Sequence, residues 1–170
     1  TKRHLSLTPD DLCLISLERY TGPVRTDPPY ALGREWSTTG PEIRPDYARD
    51  LKLNLGAVLS AQGAPGLNQK QIWSIALASA IAARNTSFAR SIEAEARAHL
   101  ADVDVEGAKA AAAIMGMNNI YYRFLHLVED GEYQTMPARL RMNVIANHGI
   151  DKLDFELISL AVSAVNGGGL

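Results

Sequence analysis

The stretch RLRMNVIANHGIDKLDFELISLAVSAVNGGGL, residues 139–170, decides how the rest of the chain is read. Asp151 has the short acceptor side chain of a helix N-cap, and Asp154 falls three residues later. There a carboxylate complements the open N–H groups and the positive dipole end of a first helical turn. Phe155, Leu157, Ile158, Leu160, Ala161, Val162 and Val165 follow. So dense an apolar run leaves little polar face, and the helix is expected to be buried nearly all round. One carboxylate, Glu156, interrupts the run. A charge in an apolar interior is costly, so Glu156 either points outward at a helix edge or has a chemical task that justifies its desolvation. Asn166 and three glycines then end the helix.

Working outward, everything from Asp46 reads as helix. Leu51, Leu55, Val58 and Leu59 make one apolar stripe, broken between Gly63 and Gly66. Asn68 and Gln71 have the spacing of a capping box. The helix they start carries Ile72, Trp73, Ile75, Ala76, Leu77, Ala80 and Ile81, which predicts a central position. Thr86 is placed to cap a more amphipathic helix, with Phe88, Ile92, Ala96 and Leu100 inward and Glu93, Glu95 and Arg97 outward. Asp104 is placed to cap a helix through Ala108, Ala112 and Met115, whose small side chains at 108–113 suit close helix approach. Gly116 marks an expected kink, and Asn118, Asn119, Tyr121 and Tyr122 read as polar groups pinning a helix junction. Asp130-Gly131 reads as a turn, and Pro137 as the residue before a final helical hairpin. No segment alternates with period two, so the expected fold class is all-α. Sliding the chain by about 84 residues lays LASAI (77–81) on AVSAV (161–165), the pattern of a duplicated helical unit. In that reading the second copy is cut short, leaving apolar surface that the 9–20 segment, a neighbouring subunit or further chain would cover. Burial is worth roughly 25 cal/mol per Å² of apolar area, so an uncovered helix face is costly.

Residues 1–45 read as a separate proline-rich arm with one short helix, and residues 46–170 as the helical domain. The arm holds six of the eight prolines. Thr8 and Pro9 start its helix, Asp10 and Asp11 complement the dipole, and Gly22-Pro23 stop it. Beyond it Tyr30 and Trp36 are candidate anchors for a docked extended segment. The chain opens on Thr1 rather than Met, which suits a trimmed or processed product.

With 170 residues, 46% hydrophobic and 21% charged, the chain has the composition of one globular domain with its own core. A net charge of −2 and the absence of a Lys/Arg stripe argue against a nucleic-acid partner. Lys109 and Arg84 interrupt the longest apolar stretches, so no membrane span is expected. A single cysteine, Cys13, excludes an intrachain disulfide framework and fits a reducing, cytoplasmic setting. Cys13 is also a candidate thiol, although a lone cysteine on an apolar helix is more often a small hydrophobe. His148, at a turn before the Glu156 helix, is a candidate acid–base group, against the ordinary reading of a solvated loop histidine. His4, His99 and His126 lie too far apart to suggest a metal set, and no phosphate-binding loop or nucleophile elbow is present, so neither metal nor organic cofactor is expected.

Five collinear segments carry a more specific signal: PDYARDLKLNL (45–55), LASAIAARN (77–85), AAAIMGMNNIYYR (111–123), LRMNVIAN (140–147) and FELISLAVSAVNG (155–167). Together they make residues 45–168 resemble the AhpD alkylhydroperoxidase family, within the carboxymuconolactone-decarboxylase-like group. The resemblance implies an all-helical, AhpD-like fold, trimeric assembly, and thiol-dependent reduction of organic peroxides in antioxidant defence. It further implies a Cys-x-x-Cys directly after the Asn166-Gly167 position, then a histidine and two more helices. Electrons would arrive from a lipoyl-bearing or thioredoxin-like reductant, with a peroxiredoxin as a further partner. Of the family's catalytic positions only the proton-relay glutamate, Glu156, has its counterpart, and Gly168 occupies the first cysteine position. Three expectations follow: an incomplete alkylhydroperoxidase, a cysteine-less relative with proton-transfer or decarboxylase-like activity on a small organic substrate, or a non-catalytic assembly subunit.

Overall fold

The computed structural model describes residues 49–128 and 130–167, the side chains of 49, 51 and 52 excepted. The 1–45 arm, with its capped helix, Cys13, Tyr30 and Trp36, lies outside the described residues, as do His4 and Gly168. Within them the chain is all-α, with no strand. Its helices are α1 (Arg49–Val58), α2 (Gln69–Ala82), α3 (Thr86–Ala96), α4 (Asp102–Leu127), α5 (Gly131–Thr135), α6 (Asn143–Ala146) and α7 (Lys152–Val165).

The start signals act as local chemistry dictates. Asn68 accepts from Gln71 N–H at 2.9 Å while Gln71 Oε1 accepts from Asn68 N–H at 3.0 Å, closing the capping box of α2. Asp151 accepts from the N–H groups of Leu153 and Asp154 at the start of α7. Two starts differ by a few residues from the sequence reading. Asn85 rather than Thr86 caps α3, accepting from Phe88 N–H at 2.9 Å. Asp104 lies in the first turn of α4, where its carboxylate reaches back to the N–H of Ala101 at 3.2 Å. Asn and Thr side chains both cap helices, and an Asp suits the N-cap as well as the first turn, so pattern alone does not separate them.

The core is a three-helix packing of α2, α4 and α7, with α3 against α2. Leu77, Ala78, Ile92, Ala96, Val105, Ala108, Ala111, Ala112, Ile158 and Val162 are almost wholly excluded from water. Burying a Leu or Ile side chain contributes about 1.5–3 kcal/mol, so this cluster is the main source of stability. The alanines of α4 allow the close approach that their composition predicts, and Gly107 extends it. A Cβ at Gly107 would stand 2.9 Å from both Cδ1 and Cγ2 of Ile150. Gly107→Ala is therefore expected to destabilise the protein by about 1 kcal/mol in urea unfolding, although alanine is the better helix former. A gain in stability would show that Ile150 can swing aside at no cost.

Three expectations are corrected. First, α7 is buried on one side only: Phe155, Ile158 and Val162 face the core, while Leu153 and Leu160 are 67% and 68% exposed. Its apolar density reflects two apolar faces, one of them uncovered among the described residues. Second, Asn118, Asn119, Tyr121 and Tyr122 lie inside α4, which runs through Gly116 as one helix, rather than at a junction. Third, Asp130 accepts from Glu132 N–H and caps the short α5. The stripe begun in α1 is only partly used: Val58 is exposed, while Leu59, just past the helix end, packs on the core.

The first turns of α2, α4 and α7 meet at one end. Lys70 Nζ lies 2.7 Å from Asp154 Oδ2 and 3.9 Å from Asp104 Oδ1, and Gln71 Nε2 donates to Asp154 Oδ1 at 2.8 Å. A buried carboxylate is tolerated here because a cation and an amide both meet it.

Candidate functional site

The sequence points to the span from His148 to Gly167, and its residues divide between the outside of α7 and a polar seam against α4. Glu156 projects from the outer edge of α7, its side chain 59% exposed, with Lys152 Nζ 3.6 Å away one turn back. The side chain is therefore not desolvated among the described residues. An exposed pair of this kind is worth little energetically, and the carboxylate keeps its water.

His148 is half-buried, its ring stacked on Phe155 with centroids 4.3 Å apart and planes 11° from parallel. Its Nδ1 accepts a long hydrogen bond, 3.4 Å, from the Ile150 N–H. The loop histidine is thus held by α7, with Gly149 (φ +78°) making the turn between it and Ile150. Glu156 follows Phe155 directly, but no hydrogen bond or ion pair joins it to His148. Elsewhere His99 stacks on Trp73 at 4.8 Å. Among the described residues no group of three or more His, Cys, Asp or Glu could hold a metal ion, and no helix is long and apolar enough to cross a membrane.

The seam between α4 and α7 escaped the sequence reading. Ser163 Oγ lies 3.2 Å from Asn119 Oδ1 and 3.0 Å from the Ser159 carbonyl oxygen. One turn on, the Arg123 guanidinium donates to the Asn166 carbonyl. Asn118 Oδ1, Asn119 Nδ2, Ser159 Oγ and Asn166 Nδ2 are buried without a hydrogen-bond partner among the described residues. Native interiors leave few such groups unpaired, and the end of α7 gathers several of them. The signal available in the sequence was the spacing of Ser159, Ser163 and Asn166, which places three polar residues on one helical face. The Lys70–Asp154–Gln71 contact had no such signal, because 83 residues separate Gln71 from Asp154.

An all-helical protein with its polar residues gathered at the end of a helix that stops at Asn-Gly is the class this architecture defines. No family model matches the sequence. Individual relatives do. The chain is 60% identical over 126 residues to "Alkyl hydroperoxide reductase AhpD" of Coxiella burnetii (strain Dugway 5J108-111), covering 74% of this chain and 71% of that protein. It is 56% identical over 126 residues to the protein of that name from Rhodospirillum centenum (strain ATCC 51521 / SW), covering 74% and 66%. The corresponding protein of Streptomyces coelicolor (strain ATCC BAA-471 / A3(2) / M145) is 53% identical over 126 residues, covering 74% and 69%. The chain belongs to the AhpD family of alkyl hydroperoxide reductases.

Proposed function

We propose that this protein provides the helical scaffold of a thiol-linked alkylhydroperoxidase, acting in antioxidant defence on organic peroxides. The observation that carries the reading is 60% identity over 126 residues to a protein bearing that activity in its name. Residues 46–170 are the scaffold and 1–45 an appended arm. The alignment of LASAI (77–81) with AVSAV (161–165), each inside a helix of the three-helix core, supports an origin by duplication. Glu156 is the proton-relay carboxylate, and His148 a subsidiary acid–base group. In the chemistry of this class a thiolate attacks the O–O bond, becomes a sulfenic acid and is resolved by a second thiol to a disulfide, which a lipoyl-bearing or thioredoxin-like partner reduces. Position 168 is glycine, and the single cysteine among the 170 residues is Cys13.

The test is hydroperoxide consumption with cumene hydroperoxide and dihydrolipoamide. Background rates are expected for the chain and for Cys13→Ser alike. Saturable binding of cumene hydroperoxide, weakened by Glu156→Gln, is expected from Trp fluorescence. Turnover lost in Cys13→Ser would make Cys13 the working thiol. Absence of binding would sink the peroxide reading. A second reading, proton transfer on a small organic substrate, is favoured by a sequence that keeps Glu156 while position 168 is glycine.

The same proposal includes a homo-oligomer, a trimer by the family resemblance, located in the cytoplasm. Leu153, Leu160 and Val165 on the open side of α7 support assembly. Leu160→Asp is expected to reduce the light-scattering mass towards the 18.4 kDa of one chain. An unchanged mass would place the contact elsewhere or remove it.

A further inference from the structure

Asn166 is followed by a glycine, whereas every other asparagine of the sequence precedes a residue with a side chain. With no Cβ in the way, the Gly167 backbone nitrogen is open to attack the side-chain amide before it. Asn166-Gly167 is therefore the point of this chain most prone to spontaneous deamidation. Ring closure requires the Gly167 nitrogen to come round the Cα–C bond of Asn166 until it eclipses Cβ, within reach of Cγ. In the structure ψ of Asn166 is 1°, so that nitrogen eclipses the backbone nitrogen of Asn166 instead. Cβ lies about 120° round the same bond, by tetrahedral geometry. A rotation of that size turns the whole peptide plane, and both edges of the plane are held. The Arg123 guanidinium of α4 donates to the Asn166 carbonyl, and the Gly167 N–H donates to the Ala164 carbonyl at 3.0 Å. Of these two contacts, that of Arg123 ties the plane to another helix, and one turn earlier Asn119 meets Ser163 across the same seam. The last turn of α7 contains no basic residue of its own, so Arg123 supplies the positive charge at its final carbonyls. Asn166 Nδ2 is buried, which shields the reacting amide from solvent.

We propose that Asn166-Gly167 is a latent modification site, locked against succinimide formation by Arg123 and released when the α4–α7 seam opens. In the open state the Gly167 nitrogen gives its proton to hydroxide and attacks Cγ of Asn166. The N–Cγ bond forms, the Cγ–Nδ2 bond breaks, and ammonia leaves with a proton taken from solvent. Water then opens the ring at either carbonyl, giving aspartate or isoaspartate with no change of oxidation state. Isoaspartate places one more carbon in the main chain ahead of Gly167, and both products put a carboxylate beside Arg123. The inference stands apart from the peroxide reading above, because neither a thiol nor a peroxide takes part.

The test is incubation of the whole chain at mildly alkaline pH, with conversion at position 166 followed by tandem mass spectrometry. The folded protein is expected to convert at least about tenfold more slowly than the same chain unfolded in urea, because reaction tracks the open population. Arg123→Gln should speed conversion in the folded protein by about fivefold to tenfold, through loss of one charge-assisted hydrogen bond at an exposed arginine. Arg123→Lys, which keeps the charge but not the planar fork, should retain part of the protection. Gly107→Ala weakens a different contact of α4 and should leave the rate unchanged. Equal rates in the folded and unfolded chain, or a folded Arg123→Gln that converts no faster than the parent, overturn the inference. An equal acceleration in Gly107→Ala also overturns it, since the protection would then come from global stability. If circular dichroism shows that Arg123→Gln has lost its helices, Asn119→Ala removes the neighbouring tie across the seam in its place. Faster conversion in that variant sustains the inference, and an unchanged rate overturns it.

Discussion

Leu77→Ala is expected to cost about 3 kcal/mol of folding stability, the largest effect of any change considered for this protein. Leu77 is fully buried in the middle of α2, the helix that packs against α3, α4 and α7. Removing its branched end loses the transfer free energy of three carbons and leaves a cavity whose walls belong to several helices, which cannot all move inward together. The urea midpoint should fall by more than about 1 M at an unchanged slope, because m-values for domains of this size lie near 1–3 kcal/mol per M. Leu53→Ala is the matched control: Leu53 is 61% exposed, and its truncation should stay within about 0.5 kcal/mol. A loss below 1 kcal/mol for Leu77→Ala would mean that the three-helix core is far looser than its burial implies.

The second large effect belongs to the point where three helix starts meet. Asp154→Asn is expected to lower stability at pH 7 by about 1–2 kcal/mol. The figure is held down because Lys70, the partner of Asp154, keeps 41% of its side chain in water. The hydrogen bond from Lys70, then that from Gln71, holds the Asp154 carboxyl below the ordinary value of 3.8, against the opposing effect of burial. A carboxyl with a depressed pKa in the native state contributes stability that is fully present above its unfolded value. That stability is lost as the pH falls through the unfolded value and on through the folded one. The gap between the parent protein and Asp154→Asn should therefore be constant from neutrality to about pH 5, narrow below that, and close in stronger acid. At the other end, the hydrogen bond from Lys70 to Asp154 raises the Lys70 ammonium above its ordinary 10.5. The contribution of Lys70 is whole below 10.5 and disappears as the pH rises past the folded value. Equilibrium denaturation at a series of pH values checks both limbs. A gap that is independent of pH between 2 and 7 would show that the charge on Asp154 does not matter to folding.

The order and type of the helices were legible in the chain, because their signals are local. Asn68 with Gln71 and Asp151 with Asp154 mark helix starts that an N–H group and a side-chain oxygen a few residues apart determine between themselves. The small residues at 108–113 likewise announced a close contact, and Ala108, Ala111 and Ala112 make one. The start of α3 differs by one residue because Asn85 and Thr86 both carry capping oxygens, and that of α4 by three because Asp104 reaches back to the Ala101 N–H from inside the first turn.

The site was legible only in part. Glu156 and His148 stand out in the sequence by residue type, but whether a carboxylate amid apolar neighbours is buried depends on what lies over that face. In the described residues nothing covers it, and Glu156 is exposed beside Leu153 and Leu160. Arg123, Asn119, Ser163 and Asn166 were ordinary polar residues until α4 and α7 were laid side by side. By itself, then, the sequence determined the all-helical fold, the helix starts, the small-residue packing face and, through identity with its relatives, the family. Tertiary structure alone decided which face of α7 is buried, that Lys70 meets Asp154, and that Arg123 reaches the end of α7. The physical reason is range: capping and periodicity act within about one helical turn, whereas burial and ion pairing depend on residues 40 to 80 positions away that only packing brings within a few ångströms.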